Sequence, residues 1–299
     1  MGATVNSSTG RERWISILGI FLRGIAMGAA DIVPGVSGGT IALITGIYPR
    51  LIRGIDQIID NAGRSAKALM RGRLHNAATH IMKSDLHFFI PLFAGIVISF
   101  LTLAHTIHYL LENHVSAIYA FFFGLIAASS VYVLRQTGKI EPTTIVMSLI
   151  GAVFAYVFVG IEPLNAYHSL PVLFGAGCLA ICAMILPGIS GSFILVFLGQ
   201  YQHMLSALSQ VIIKDIVSFI AGACVGIALF SRLIDYLLTN WRQATLSFIT
   251  GLMIGSLRLP YLKVTSTEYS LMPVLLWGCV GFALVLVVET VSKKYQLDR

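Results

Sequence analysis

Two short stretches of this 299-residue chain carry residue types that hold anions rather than break bonds. One reads Asp31-Ile32-Val33-Pro34-Gly35-Val36-Ser37-Gly38-Gly39-Thr40, the other Ile185-Leu186-Pro187-Gly188-Ile189-Ser190-Gly191-Ser192. In each, a proline without a backbone donor stops one helix and a glycine turns the chain. A Ser-Gly pair then starts a second helix, with Ser37 and Ser190 as natural N-caps. The first amides of a helix lack internal partners and sit at the positive end of its dipole, so such corners favour anions, phosphate above all. The expected binding residues are Ser37, Gly38, Gly39 and Thr40 in the first corner and Ser190, Gly191 and Ser192 in the second. Pro34, Gly35, Pro187 and Gly188 are expected to shape the turns. For one copy a simple turn is the plainer reading; two copies favour a site.

Asp31 lies one turn before the first corner, and Met184 takes its place before the second. A carboxyl within a membrane is costly and usually functional. Asp31 is a candidate to carry a coupling proton or cation, or to hold the second corner; the alternative is a carboxylate satisfied by freed amides. Arg23 is a candidate to attract an anionic group, against the alternative that its head reaches back to the aqueous surface. His105, His108, Glu112 and His114 have helical spacing, but interfacial solvation explains them better than a metal. Arg232 with Asp235, and Glu289 with Lys293, are spaced to pair. Cys178, Cys182, Cys224 and Cys279 sit in apolar stretches and read as buried free thiols. No metal and no cofactor is expected.

Gly35-Val36-Ser37-Gly38 and Gly188-Ile189-Ser190-Gly191 also look like the G-x-S-G of a membrane serine hydrolase. A serine nucleophile needs a base. His203 is the last histidine, so no later segment supplies an imidazole to Ser190. Transport is expected rather than covalent chemistry. A serine hydrolase-like membrane enzyme and a channel or transporter for a small anion are the alternatives.

The elements that must position the corners are apolar. The chain is 57% hydrophobic and 11% charged, where soluble domains carry about a quarter charged residues, so lipid is its natural solvent. The net charge of +7 then reads as basic cytoplasmic loops rather than nucleic-acid binding. No cleavable leader is read at the N-terminus. Stretches 87–111, 115–134, 143–161, 211–238, 243–259 and 271–291 are expected to span. Regions 15–48 and 170–201 are too long for one span and short for two, so each is expected to be two half-helices around its corner.

These regions repeat. A shift of 153 residues carries Gly24, Pro34, Gly35, Ser37, Gly38, Gly46 and Tyr48 onto Gly177, Pro187, Gly188, Ser190, Gly191, Gly199 and Tyr201. A shift of 127 carries Phe121–Ser129 onto Phe248–Ser256. A hairpin plus three spans is an odd number of crossings, so the second repeat should be inverted. The expected fold is an all-α polytopic membrane protein of two inverted-topology repeats. A cytoplasmic N-terminus at 1–14 precedes repeat 1 at 15–140, with hairpin 15–48, basic cytoplasmic loop 50–86 and spans 87–111 and 115–134. The third span of repeat 1 is at 141–161. Repeat 2 at 170–291 holds hairpin 170–201 and spans 211–238, 243–259 and 271–291, before a cytoplasmic tail at 292–299. With loop 50–86 cytoplasmic, Arg11, Arg13, Arg135, Lys139, Arg242, Lys293 and Lys294 fall on the same side, and Arg258 and Lys263 fall outside. The corners should approach each other near the membrane midplane, where transporters of inverted repeats bind their substrates.

The stretches Gly28–Tyr48 and Leu186–Leu195 resemble the bacterial polyprenyl-phosphate transporters of the PopT type, formerly a domain of unknown function, and the segment layout is similar over nearly the whole chain. The resemblance implies a flippase that returns undecaprenyl phosphate from the outer to the inner leaflet of the bacterial cytoplasmic membrane, for lipid-carrier recycling in cell-wall synthesis. It implies undecaprenyl phosphate and membrane lipids as partners, and the headgroup is carried onto the two corners only. No oligomeric state is expected from it.

Overall fold

A computed structural model describes residues 10–33, 35–70, 85–162, 167–267 and 270–297. Pro34 and the basic stretch 71–84 lie outside the described residues. Among the described residues the chain forms thirteen helices and no strand. They are α1 (Gly10–Ile32), α2 (Gly38–Ile44), α3 (Tyr48–Met70), α4 (Leu86–Asn113), α5 (Val115–Gln136), α6 (Pro142–Val159) and α7 (Leu170–Ile185). Then follow α8 (Gly191–Phe197), α9 (Tyr201–Ser209), α10 (Ile213–Asn240), α11 (Arg242–Ser256), α12 (Arg258–Thr265) and α13 (Leu271–Leu297). Within them, Leu86–Leu103, Val115–Gln136, Pro142–Val159, Ile213–Asn240 and Leu271–Thr290 are long and apolar enough to cross a membrane. Large apolar side chains cover the outside of these helices, for example Ile145, Leu149, Val153 and Val157 of α6 and Leu275, Leu286 and Val287 of α13. Such a surface suits hydrocarbon and not water.

Two segment expectations need correction. The expected span 243–259 is the 15-residue α11, short of the roughly 20 residues a span needs. It ends where Pro260 cannot donate to the Ser256 carbonyl, and the chain resumes as the eight-residue α12. The expected loop 50–86 is helical as far as Met70. Its polarity hides an amphipathic helix whose Leu51, Ile52, Ile55 and Ile58 pack on the core. The broken regions also have unequal arms. α1 and α7 have 23 and 16 residues, but α2 and α8 have seven each. Seven residues rise about 10 Å, a third of the hydrocarbon thickness.

The helices pair in a pattern that recurs between the repeats. α1 packs chiefly on α4 and α7 on α10, while α5 packs on α13 and α11 on α6. In lipid such pairing rests on close packing through small residues. A Cβ on Gly24 would strike the Leu92 carbonyl, and one on Gly95 the Phe21 carbonyl. The shifts of 153 and 127 carry these glycines onto Gly177 and Gly222, which pair α7 with α10 just as closely. Polar cross-links supplement the packing. Ser148 donates to the Ser247 carbonyl at 3.0 Å and Ser218 to the Leu170 carbonyl at 2.7 Å. Arg232 reaches across to α3, pairing with Asp56 at 3.2 Å and Asp60 at 3.1 Å rather than with Asp235, its neighbour on α10. Glu289 faces Arg135 at 3.9 Å, and the Lys293 side chain lies outside those described. The cysteines are free, but none is buried as expected: Cys178 and Cys182 are half-buried, and Cys224 and Cys279 are exposed.

Candidate functional site

The two corners touch. The Ser37 hydroxyl donates to the Leu186 carbonyl at 3.2 Å, and the Gly188 amide donates to the Thr40 hydroxyl at 3.1 Å. Each bond joins one broken region to the other across about 150 residues of sequence. Ser37, Thr40 and Ser190 are all buried. Gly39 lies against the Met184 and Ile185 carbonyls, so that a Cβ there would press 3.1 Å from each. Gly35 and Gly188 turn their corners with φ of 86° and 90°, angles that cost other residues about 1–2 kcal/mol.

The Gly38, Gly39 and Thr40 amides of the first corner are all taken, contrary to the expectation of free amides. Gly38 donates to the Asp31 carboxylate at 2.6 Å, Gly39 to the Ser37 hydroxyl at 3.1 Å, and Thr40 to the Ser37 carbonyl at 3.0 Å. Asp31 therefore caps α2. The second corner differs because Met184 stands where Asp31 would be and packs on Gly191. Ser190 occupies the N-cap position with extended angles, but its hydroxyl is bound to that of Ser192 at 2.8 Å instead of capping α8. The amides of Gly191, Ser192 and Phe193 have no partner among the described residues.

A cavity of about 10 Å³ lies at the junction, lined by Gly35, Gly188, Ser190, Phe193, Ser256 and Leu259 among others. That is room for about one water and not for a phosphate group. In this conformation the corners are shut on each other. Arg258 precedes the cavity-lining Leu259, and its guanidinium lies 4.3 Å over the Tyr156 ring and donates to the Tyr156 carbonyl at 2.6 Å. Ala155 and Val159, each next in sequence to a residue touching Arg258, and Leu259, next to Arg258 itself, line the cavity. The charge pattern marks Arg258 only as an exception; its place beside the corners is not readable without the packing of α12. Arg23, by contrast, is not brought to the corners: its guanidinium lies against Gly19, one turn back along α1.

A second polar group stands apart from the corners. His203 contacts the buried Asp215 at 2.9 Å, stacks on His168 at 4.2 Å, and His168 bonds Gln200 at 2.8 Å. It fastens the start of α7 to α9 and α10, and sequence spacing gives no sign of it. His108 pairs with Glu112 at 3.2 Å, and the described residues contain no cluster arranged to hold a metal. Among the described residues neither Ser37 nor Ser190 hydrogen-bonds a histidine, lysine or carboxylate, so no base is set to activate either.

The profile of a family described as undecaprenyl phosphate translocase-like matches residues 27–273. A protein named polyprenyl-phosphate transporter from Vibrio cholerae serotype O1 is 42% identical over 243 residues, 81% of this chain and 77% of that one. A protein of the same name from Staphylococcus aureus is 33% identical over 263 residues, 82% of this chain and 85% of that one. No solved structure matches the chain. The relatives bear the names of transporters and not of enzymes, and the apolar helices make the chain a multi-pass membrane protein. With a profile covering most of its length and two such relatives, the chain belongs to the undecaprenyl phosphate translocase-like family.

Proposed function

We propose that this chain is a flippase for a polyprenyl phosphate, undecaprenyl phosphate above all, returning it from the outer to the inner leaflet of the bacterial cytoplasmic membrane for reuse in cell-wall synthesis. In this reading both termini are cytoplasmic and the two repeats are inverted. The observation that carries it is the pair of hydrogen bonds joining the corners. Ser37 and Gly188 are donors held by internal acceptors, the Leu186 carbonyl and the Thr40 hydroxyl. When the corners part, both donors become available to phosphate oxygens, together with the amides of Gly191 and Ser192. Exchanging one acceptor for another costs little, and bonds to an ionised acceptor are stronger than neutral ones. Gly38, Gly39 and Thr40 shape the first corner, and Ser190, Gly191 and Ser192 offer the second. Arg258 attracts the headgroup.

Asp31 would link this motion to a proton or cation. Its carboxylate holds the Gly38 amide, so neutralising it weakens the cap and loosens α2. The prenyl tail stays in apolar surroundings throughout.

The test uses the purified full chain in lipid nanodiscs, with binding of undecaprenyl phosphate compared with neutral undecaprenol and with inorganic phosphate. Saturable binding of the prenyl phosphate, weakened about tenfold by Ser37→Ala or Ser190→Ala, is expected for loss of a bond to a charged group. Equal binding of the neutral prenol would remove the headgroup reading. Preference for inorganic phosphate over the prenyl phosphate would instead favour a small-anion transporter.

A further inference from the structure

The corners, once parted, account for a headgroup and leave the long tail without a place. A separate groove of about 420 Å³ runs along the outside of the bundle between α5, α12 and α13. Its walls include Ala120, Phe123 and Ala127 of α5, Tyr261 of α12, and Leu275 and Phe282 of α13. Cavities that hold ligands fall in the range of roughly 300–1,000 Å³. Its floor is formed where α5 and α13 cross at Gly124 and Gly278, since a Cβ on Gly124 would run into the Gly278 carbonyl.

Resting on the transport reading above, we propose that this groove binds the first isoprene units of the polyprenyl phosphate. The argument is its connection to the corner cavity. The single helix α12 separates the two: Leu259 lines the cavity, while Tyr261 and Val264 line the groove. Five residues of helix span about 8 Å, so a chain leaving a phosphate held between the parted corners reaches the groove within its first units. A prenyl phosphate has no glycerol and one tail, and the groove offers room for one chain.

In hydrocarbon, moving an apolar chain from lipid to protein gains little from water exclusion, so the groove must select by shape. Small residues, Ala120, Gly124, Ala127 and Gly278, lie along the floor and keep the groove open for a slender chain, while Phe123 and Phe282 wall the sides. By the charge-derived orientation the groove lies in the outer half of the membrane, where a carrier awaiting return is found.

The test is photocrosslinking of the full chain in nanodiscs with undecaprenyl phosphate carrying a diazirine a few isoprene units from the phosphate, read by mass spectrometry. Crosslinks should concentrate on Phe123, Leu275 and Phe282 over the lipid-facing Ile145, Leu149 and Val153 of α6. Unlabelled undecaprenyl phosphate should compete them away. Leu275→Trp, which fills the groove from an exposed position, should cut these crosslinks about fivefold, roughly 1 kcal/mol. An independent Ala127→Phe variant guards against a folding fault in the first. Saturable headgroup binding with crosslinks spread evenly over all lipid-facing helices would overturn the groove and leave the transport reading standing. Groove crosslinks competed by phospholipid but not by undecaprenyl phosphate would assign it to an ordinary acyl chain and overturn the proposal. Absence of saturable prenyl phosphate binding would overturn both.

Discussion

Replacing Thr40 with valine removes one hydroxyl and keeps the shape of the side chain. The hydroxyl is the acceptor for the Gly188 amide at 3.1 Å, in a place where both groups are buried. Valine leaves that amide without a partner in the shut conformation, whereas in the parted conformation the amide meets water or phosphate. An orphaned buried donor costs about 1–3 kcal/mol. The penalty falls on the shut state alone, so the parted population should rise by a factor of about 5 to 150. The assay is hydrogen exchange by mass spectrometry in nanodiscs, following peptides over 31–45 and 184–195. Thr40→Val should speed exchange in both peptides together, because one bond joins the two, and leave peptides from α4 and α10 unchanged. Thr40→Ser keeps the hydroxyl and should stay near wild type. If Thr40→Val exchanges like the parent, or if Thr40→Ser behaves like valine, the bond does not hold the corners shut.

Other outcomes follow from the same geometry. Asp31→Ala deletes the acceptor that holds Gly38 and should lower thermal stability by the value of a charge-assisted cap, about 1.5–3 kcal/mol, while Asp31→Asn keeps an acceptor and should lose less. A well-folded Asp31→Asn chain whose transport no longer responds to the proton gradient would support ion coupling; unaltered coupling would end that role for Asp31. Gly188→Ala should damage folding more than Gly35→Ala, as measured by thermal unfolding in detergent. Both strain a positive φ, but a methyl added at Gly188 would sit 2.9 Å from the Met253 backbone, whereas one added at Gly35 meets only the flexible Leu259 side chain.

The broken regions are legible because a corner needs particular residues. Proline and glycine at fixed places, twice, at one shift, point to a turn whatever surrounds it, and the glycines do take positive φ at Gly35, Gly46, Gly188 and Gly199. What escapes a reading of the sequence depends on partners remote along the chain or on periodicity within polar stretches. The charges of α3 suggest a loop and mask the apolar period of Leu51, Ile55 and Ile58. Spacing matches Arg232 to the nearest acid on its own helix, although Asp56 and Asp60, on α3, lie closer in space. The amides of the first corner count as free only when the helix is considered alone. The acceptor of the Gly38 amide, Asp31, stands in view seven residues upstream, but sequence alone leaves that role as one of the alternatives. Arg258 carries a charge on the unexpected side, which marks it as unusual, but only the fold of α12 brings it against Tyr156, next to the cavity-lining Ala155.

The difference between the corners suggests that the matched motifs have divided the work. The first has its Gly38, Gly39 and Thr40 amides filled and is braced by Asp31, which suits a fixed strut. The second keeps unpartnered amides at Gly191, Ser192 and Phe193, which suits the member that moves and binds. The difference comes down to one position, Asp31 against Met184, since both side chains lie against the first glycine of the following helix. Met184→Asn should therefore convert one kind of corner into the other. Its amide oxygen can accept from Gly191 as Asp31 does from Gly38, without placing a charge on a half-exposed, lipid-facing position. Filling that donor internally takes about 0.5–1.5 kcal/mol from any ligand that uses it, a two- to twelvefold loss of prenyl phosphate affinity with stability held or raised. Met184→Leu, which fills the space without an acceptor, should bind as the parent does. Equal affinity in the asparagine and leucine variants would show that the second corner's amides take no part in holding the headgroup.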